Sequence, residues 1–295
     1  MSDPDGFEAH RRYLGAVAYR LLGSFSDAED AVQDTWLRWR GVDQAQVKEP
    51  RAYLTRIITR ICYDALRSAR ARRETYYGEW LPEPEVTDEH TPESEALLGE
   101  SVSMALLTVL EQLTPAQRAA FVLHDVFDVR FDEIGAALDC SAESARQLAS
   151  RARRDVQRSA PHQKVDADAH RKAIAAFAAA VAGADVSRLI DVLAPEVVWH
   201  SDGGGIVSAG VRPIVGADRV ARLALGLVAK MLRTGFEPVV RVAAVNGEPG
   251  LVIYLPSGEP QGVMAFTVAD GRIAAVHLVL NPEKLRGVAH ITVTP

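Results

Sequence analysis

The sequence predicts a multidomain protein, with two all-α domains followed by an α+β domain. Three observations carry this reading. Apolar residues recur at helical spacing through residues 7–74 and again through 93–159. An acidic stretch bearing Pro82, Pro84 and Pro92 separates these blocks. Beyond them, β-branched runs alternate with two-residue turn signals.

In the first block, Gly23 and Ser24 form a turn, Asp27 and Ala28 open a helix after it, and Pro50 starts another. In the second, Thr114 caps a helix whose first turn carries Pro115. The stretch between them, residues 79–100, reads as an extended, solvated linker, since prolines break helices and like charges repel. A second boundary falls at residues 159–165, where an arginine-rich helix meets Pro161. In the third block, helical patterns at 171–182, 186–193 and 218–232 precede apolar runs at 236–245, 251–255, 262–269 and 273–280. Asn246-Gly247, Ser257-Gly258 and Asp270-Gly271 punctuate those runs as hairpin signals, giving helices packed on a largely antiparallel sheet. The expected boundaries are 1–75, 76–100, 101–160 and 166–295.

Composition excludes several classes. At 295 residues, 48% hydrophobic and 24% charged, the chain has the apolar content for packed cores and is not disordered overall. No apolar run approaches the ~20 residues of a membrane span, and residues 1–10 carry no signal-peptide pattern, so a cytoplasmic protein without membrane contact is expected. Cys62 and Cys140 are far apart and outside any CxxC, which favours buried thiols over a disulfide or thiolate metal site; a redox role stays open. His124 and Asp125 lack companions for a metal site, and there is no phosphate-binding glycine loop. No cofactor, metal or catalytic residue is expected.

Net charge is −6, yet arginines concentrate in two places. In 51–73, Leu54, Ile57, Ile58, Ile61 and Ala65 share a helical arc, leaving Arg56, Arg60, Arg67 and Arg70 mostly outside it. A helix with one apolar face and a guanidinium row suits a phosphate backbone, and Tyr53 and Tyr63 offer stacking surfaces for unpaired bases. In 131–158, Ile134, Ala137 and Leu138 mark a first helix and residues 139–141 a turn. Ser141 caps a second helix with Ala145, Leu148, Ala149, Ala152 and Val156 inward. This helix-turn-helix directs Gln147, Ser150, Arg151 and Arg154 outward, side chains able to pair with base edges and phosphates.

The run from Asp27 to Trp39 resembles the polymerase-binding helix of sigma-70 factors of the extracytoplasmic-function subgroup, and residues 50–73 resemble that family's −10 reader. The helix-turn-helix block, opening on Leu113-Thr114-Pro115-Ala116-Gln117-Arg118, is similar to its −35 reader. By themselves Asp27, Glu29, Asp30 and Asp34 would be a solvated acidic face near a helix N-terminus. The resemblance implies that these residues and Gln33 contact the β and β′ subunits of core RNA polymerase. It implies −10 contacts from Arg56, Arg60, Tyr63, Arg67 and Arg70, and −35 contacts from Ser144, Arg146, Gln147, Ser150, Arg151 and Arg154 on promoter DNA. Arg60 stands where many such factors carry asparagine.

Three further motifs, residues 77–84 around Trp80, Leu81 and Pro82, the run Asp202, Gly203, Gly204 and Gly205, and residues 281–285 beginning Asn281-Pro282, resemble the sigma factor J type. That type ends in a SnoaL-like domain of the cone-shaped nuclear transport factor 2 fold. The resemblance implies interdomain regulatory contacts by Trp80, Leu81, Pro82, Asp202, Gly203, Gly204, Gly205, Asn281 and Pro282, with the third block acting on the first. Ile206 stands where lysine usually follows the glycines. Related folds include enzymes with a carboxylate or histidine base, for which His200, Asp202 and His277 are candidates, but no second acid accompanies them. The expected function is an alternative sigma factor modulated by its own C-terminal domain, which could hold a small ligand. The alternative is a one-component helix-turn-helix regulator with that domain as sensor.

Overall fold

The computed structural model describes residues 6–73, 76–87, 102–159, 167–233, 235 and 237–291, with the side chains of 69–73 and 159 outside the description. The chain divides into two compact units, Met1–Thr75 with Leu106–Ala160 and Tyr76–Ala105 with Pro161–Pro295.

The first unit is helical. Gly23 ends α1 (Glu8–Leu22) in the left-handed conformation, and Ser24 caps α2 (Phe25–Arg40) by accepting from the Asp27 amide. On α2, Ala28, Ala31, Val32, Thr35 and Trp39 are buried, leaving the acidic positions on the opposite side. Pro50 opens α3 (Pro50–Arg73), a first-turn position that needs no amide donor. Its buried line is Leu54, Ile58, Cys62 and Leu66, with Thr55 and Thr59 also buried; the expected Ile57, Ile61 and Ala65 are only half-buried. This arc is wider than one stripe because α3 packs against α1 and α2 and also against the first helix of the helix-turn-helix.

That second group comprises α4 (Met104–Leu110), α5 (Pro115–Phe121), a π turn (Val122–Val126), α6 (Phe131–Leu138) and α7 (Ala142–Ser159). Thr114 and Gln117 form a reciprocal capping box on α5. Ala145, Ala149 and Ala152 are fully buried, and their small side chains let α7 lie close to α5 and α6. Gly135 permits the tight turn, since a Cβ there would lie 2.7 Å from the Cys140 carbonyl oxygen.

Arg118 of α5, only 2% exposed, ties the unit together. Its guanidinium pairs with Glu111 and donates to the Arg20 carbonyl at 3.3 Å. Nearby, the Phe127 ring meets Tyr13 edge-on at 5.5 Å and lies beneath the Arg20 guanidinium at 4.8 Å. Burial lowers the Arg118 pKa to about 9, still above neutrality, so the charge is retained and depends on its partners.

In the second unit, α8 (Ala167–Ala182), α9 (Val186–Val192) and α10 (Ala217–Arg233) cover one face of a seven-stranded sheet. The strands are β1 (Val86–Thr87), β2 (Leu193–Asp202), β3 (Ile214–Val215), β4 (Val239–Val245), β5 (Glu248–Tyr254), β6 (Pro260–Ala269) and β7 (Arg272–Val279). Their order is β1-β4-β5-β6-β7-β2-β3, antiparallel except for β2 beside β7. The hairpins turn where expected, with positive φ at Asn246-Gly247 and Asp270-Gly271. Strand β2 was not anticipated: Pro195 interrupts its pattern, and no hairpin signal announces a parallel neighbour.

The acidic stretch departs from the expectation of a solvated linker. Residues 81–84 are buried, Val86 and Thr87 pair with Val245 and Ala244 at the sheet edge, and Leu81 joins the second apolar core. That core, with Met104, Val245, Val252, Val279, Leu285 and Val288, covers the sheet face opposite the helices. Apolar Leu81 and the prolines, which lose little entropy on ordering, outweigh the local charge. Residues 88–101 of the linker and most of the 159–165 boundary lie outside the described residues.

Two measurements follow. Arg118→Ala leaves Glu111 without this partner and is expected to cost the helical unit about 3 kcal/mol, read by urea unfolding with hydrogen exchange in α1 and α5. Burial pushes the imidazoles of His170 and His277 down to about 4 and about 3. Each therefore contributes stability that is present above the unfolded value of roughly 6.5 and is lost as pH falls toward those folded values. Glu248, pushed up to about 7 by burial, works with the opposite sign: its contribution is present at low pH and lost as pH rises through about 7. Thermal unfolding at about pH 4.5 and 7 should show a smaller acid loss in His277→Asn and a larger one in Glu248→Gln.

Candidate promoter-reading surfaces and a linker clasp

On α2, Asp27, Glu29, Asp30, Gln33 and Asp34 are all exposed, spaced so that they share the solvent side. Leu37, 52% exposed, lies one turn beyond Gln33 and Asp34 and gives this acidic face an apolar end. Sequence periodicity missed Leu37 because a single leucine off the core stripe carries no signal.

On α3, Arg56 and Arg67 are exposed, with guanidinium carbons 5.2 Å from the Tyr53 ring and 5.9 Å from the Tyr63 ring. Each arginine thus lies beside an aromatic face, an arrangement suited to unpaired bases and phosphate together. Arg60 is half-exposed, pairs with Asp139 of the helix-turn-helix turn, and has Asp64 at 3.6 Å. The Arg70 side chain lies outside the described residues.

On α7, Ser144, Arg146, Gln147, Ser150, Arg151 and Arg154 are all exposed on the side opposite the buried alanines. Ser141 caps the helix, accepting from the Ser144 amide at 3.1 Å. Glu143 takes hydrogen bonds from Arg146 at 2.6 Å and Gln147 at 3.4 Å, and Arg153 pairs with Asp125 of the π turn. Arg151 has no carboxylate partner among the described residues, which leaves its fork available for a base edge or phosphate.

The third constellation lies within the second unit and centres on Asp202, which is fully buried. Its Oδ1 accepts from the Tyr76 hydroxyl at 2.7 Å and the Gly204 amide at 2.9 Å. Its Oδ2 accepts from the Leu81 amide at 2.9 Å and the Lys284 ammonium at 2.6 Å. Lys284 also donates to the Leu81 carbonyl and lies 3.9 Å from the centre of the Trp80 ring. Asn281 is buried and donates to the Tyr76 hydroxyl at 3.0 Å. Burial, then the bond to Asp202, hold the Tyr76 phenol well above its ordinary range. Gly204 has a φ of 64°, and a Cβ there would lie 2.5 Å from the Asn281 side chain, so glycine is required.

These contacts bring together eight of the nine expected regulatory positions: Trp80, Leu81, Pro82, Asp202, Gly203, Gly204, Gly205 and Asn281 lie on or beside the clasp. Pro82 is buried, while Pro282 is exposed and opens the helical turn Pro282–Leu285 that presents Lys284. Within the second unit the partners of these residues are segments of the linker. Tyr76, Glu79 and Lys284 were not among the expected site residues, although Glu79 and Lys284 lie inside the quoted motifs.

The candidate bases are engaged within the domain. His200 meets Glu79 through Nδ1 at 2.8 Å and stacks on His277 at 5.1 Å, while the Tyr76 hydroxyl, the Gly204 and Leu81 amides and the Lys284 ammonium converge on Asp202. Burial, and then the neighbouring His200 ring, lower the His277 pKa and keep it neutral. Among the described residues, no cluster of His, Cys, Asp or Glu is arranged to hold a metal ion, and no helix is long and apolar enough to cross a membrane. Burial pushes the Cys62 thiol well above its usual range and raises Cys140 as well, so neither carries the lowered pKa of a reactive thiol.

Comparison with known proteins agrees with this organisation. Sigma-70 region 2 matches residues 7–72, and Sigma-70 region 4 matches residues 103–156. The chain is 42% identical over 290 residues to the ECF RNA polymerase sigma factor SigJ of Mycobacterium tuberculosis, covering 95% of this chain and 92% of that protein. It is 31% identical to the probable ECF RNA polymerase sigma factor SigI of the same species, with coverages of 95% and 93%. The crystal structure of SigJ superimposes with a TM-score of 0.78 at 38% identity, covering 97% of this chain and 99% of that one. With both sigma-70 regions in order, and likeness continuing through the SnoaL-like C-terminal domain, this chain belongs to the extracytoplasmic-function sigma factors of RNA polymerase.

Proposed function

We infer that this alternative sigma factor directs core RNA polymerase to its promoters through three surfaces of the helical unit and is modulated in cis by the clasped linker. The observation that carries the reading is the separation of these surfaces by charge. The acidic side of α2 is suited to basic ground on the β and β′ subunits, and the arginine sides of α3 and α7 are suited to DNA. In this reading Arg56, Arg60, Tyr63, Arg67 and Arg70 serve the −10 element. Ser144, Arg146, Gln147, Ser150, Arg151 and Arg154 serve the −35 element, with Gln147 and Arg151 nearest the base edges. A one-component regulator would need α7 but has no use for the acidic face of α2.

The C-terminal domain is read as regulatory. Asp202, the fully buried carboxylate of the constellation, is spent on holding residues 76–81, a structural use that supports linker control over catalysis. Control then works by deciding whether the segment between the two promoter readers is anchored. A small ligand of this domain would act through the same anchoring.

In vitro transcription with purified core polymerase tests the reading. The chain should confer initiation at specific promoters, and its failure to bind core or support any transcript would overturn it. In that assay Arg151→Ala should weaken −35 discrimination by about 1–3 kcal/mol while leaving core binding intact. Lys284→Met removes the ammonium from Asp202 and Leu81. It should retain core binding, increase proteolysis within residues 76–87 and change promoter output, whereas wild-type protection with wild-type output would remove the clasp from the regulatory account.

A further inference from the structure

Arg60 is the one described member of the proposed −10 set that is held by a carboxylate from the other DNA-reading block. Arg60 Nη1 pairs with Asp139 Oδ2, while the remaining α3 carboxylate nearby, Asp64, stays at 3.6 Å from Nε. Asp139 occupies the C-terminal end of α6 in the left-handed conformation, with φ 53° and ψ 46°. Glycine or asparagine suits that backbone at least as well, so the carboxylate is not needed to make the turn. Its side chain is 69% exposed and reaches toward α3 and not toward a donor of its own turn.

We propose that Asp139 is an internal competitor for DNA phosphate at Arg60, so that the closed helical unit withholds one of its own −10 contacts. This rests on α3 being the −10 surface. The geometry makes opening necessary. The helical unit, about 130 residues, has an expected radius of gyration of ~14 Å, whereas promoter elements roughly 25 base pairs apart are separated by on the order of 80 Å of B-DNA. The two readers must part to engage both elements, and parting them takes Asp139 away from Arg60. A carboxylate and a phosphate make the same kind of bidentate demand on a guanidinium, so the exchange leaves Arg60 paired in both states. The pair is exposed and weak enough to yield to DNA, while Arg118 and Phe127 hold the blocks together in the closed state.

The test is fluorescence anisotropy of the full-length chain with a short, labelled single strand of mixed sequence at fixed low salt. Asp139→Asn and Asp139→Gly should each bind it about two- to fivefold tighter than wild type, the range an exposed ion pair supports. Both substitutions keep the turn, so the two should agree. In an Arg60→Ala background the gain should vanish. An unchanged affinity in both variants overturns the proposal, and so does a gain that persists without Arg60, which would reflect general relief of negative charge. Arg67→Ala in the wild-type background separates the underlying reading: a loss of affinity supports α3 as the DNA surface, and no loss overturns that surface itself.

Discussion

The buried carboxylate of Asp202 is the constraint on which the C-terminal unit is arranged. A carboxylate removed from water costs several kcal/mol unless charge and hydrogen bonds replace its hydration. The protein replaces it with a hydroxyl, two amides and an ammonium, drawn from the linker, the glycine turn and the Asn281 to Lys284 segment. No two of those segments are adjacent along the chain. Their convergence positions Leu81 over the sheet and so helps close the second apolar core, which includes Leu285 and Val288. The glycines serve the same end: a side chain at Gly204 would displace Asn281, and with it the hydrogen bond to Tyr76.

The helical unit follows the same principle with the sign reversed. Arg118 is a buried cation, offset by Glu111 and the Arg20 carbonyl in the last turn of α1. Around it the contact between the two helical groups includes arginines, aromatic rings and a carboxylate. Such contacts are directional and individually modest, closer to an interface between domains than to a core. An interface of this kind is compatible with the parting of the two readers that the proposal for Asp139 calls for.

Much of this was legible from sequence because the relevant signals are local. The caps at Ser24, Thr114 and Ser141, the alanine stripe of α7 and the Asn246-Gly247 and Asp270-Gly271 turns each depend on a few neighbouring residues. What escaped was non-local. Strand β2 pairs in parallel with β7, a neighbour some 75 positions along the chain, and no turn marks that pairing. The described part of the linker, residues 76–87, differs from a solvated segment because its charge is visible locally, whereas the partners of its Leu81 backbone come from residues 202 and 284. Asp139 escaped for the same reason: in sequence it is a turn residue, and its partner lies in another block.

The overall acidity of the chain acquires a role once pairing is considered residue by residue. A protein of net charge −6 that reads DNA must both limit attraction to unrelated phosphates and retain enough bare guanidinium to bind its own. Here several arginines are engaged within the chain: Arg60 by Asp139, Arg146 by Glu143 and Arg153 by Asp125. Arg56, Arg67 and Arg151 have no carboxylate partner among the described residues and remain available on the readers. Exposed pairs contribute little to stability, so in the proposed reading their effect falls mainly on affinity: each carboxylate would subtract from nonspecific attraction to DNA and yield where the correct geometry offers a phosphate or base edge in its place.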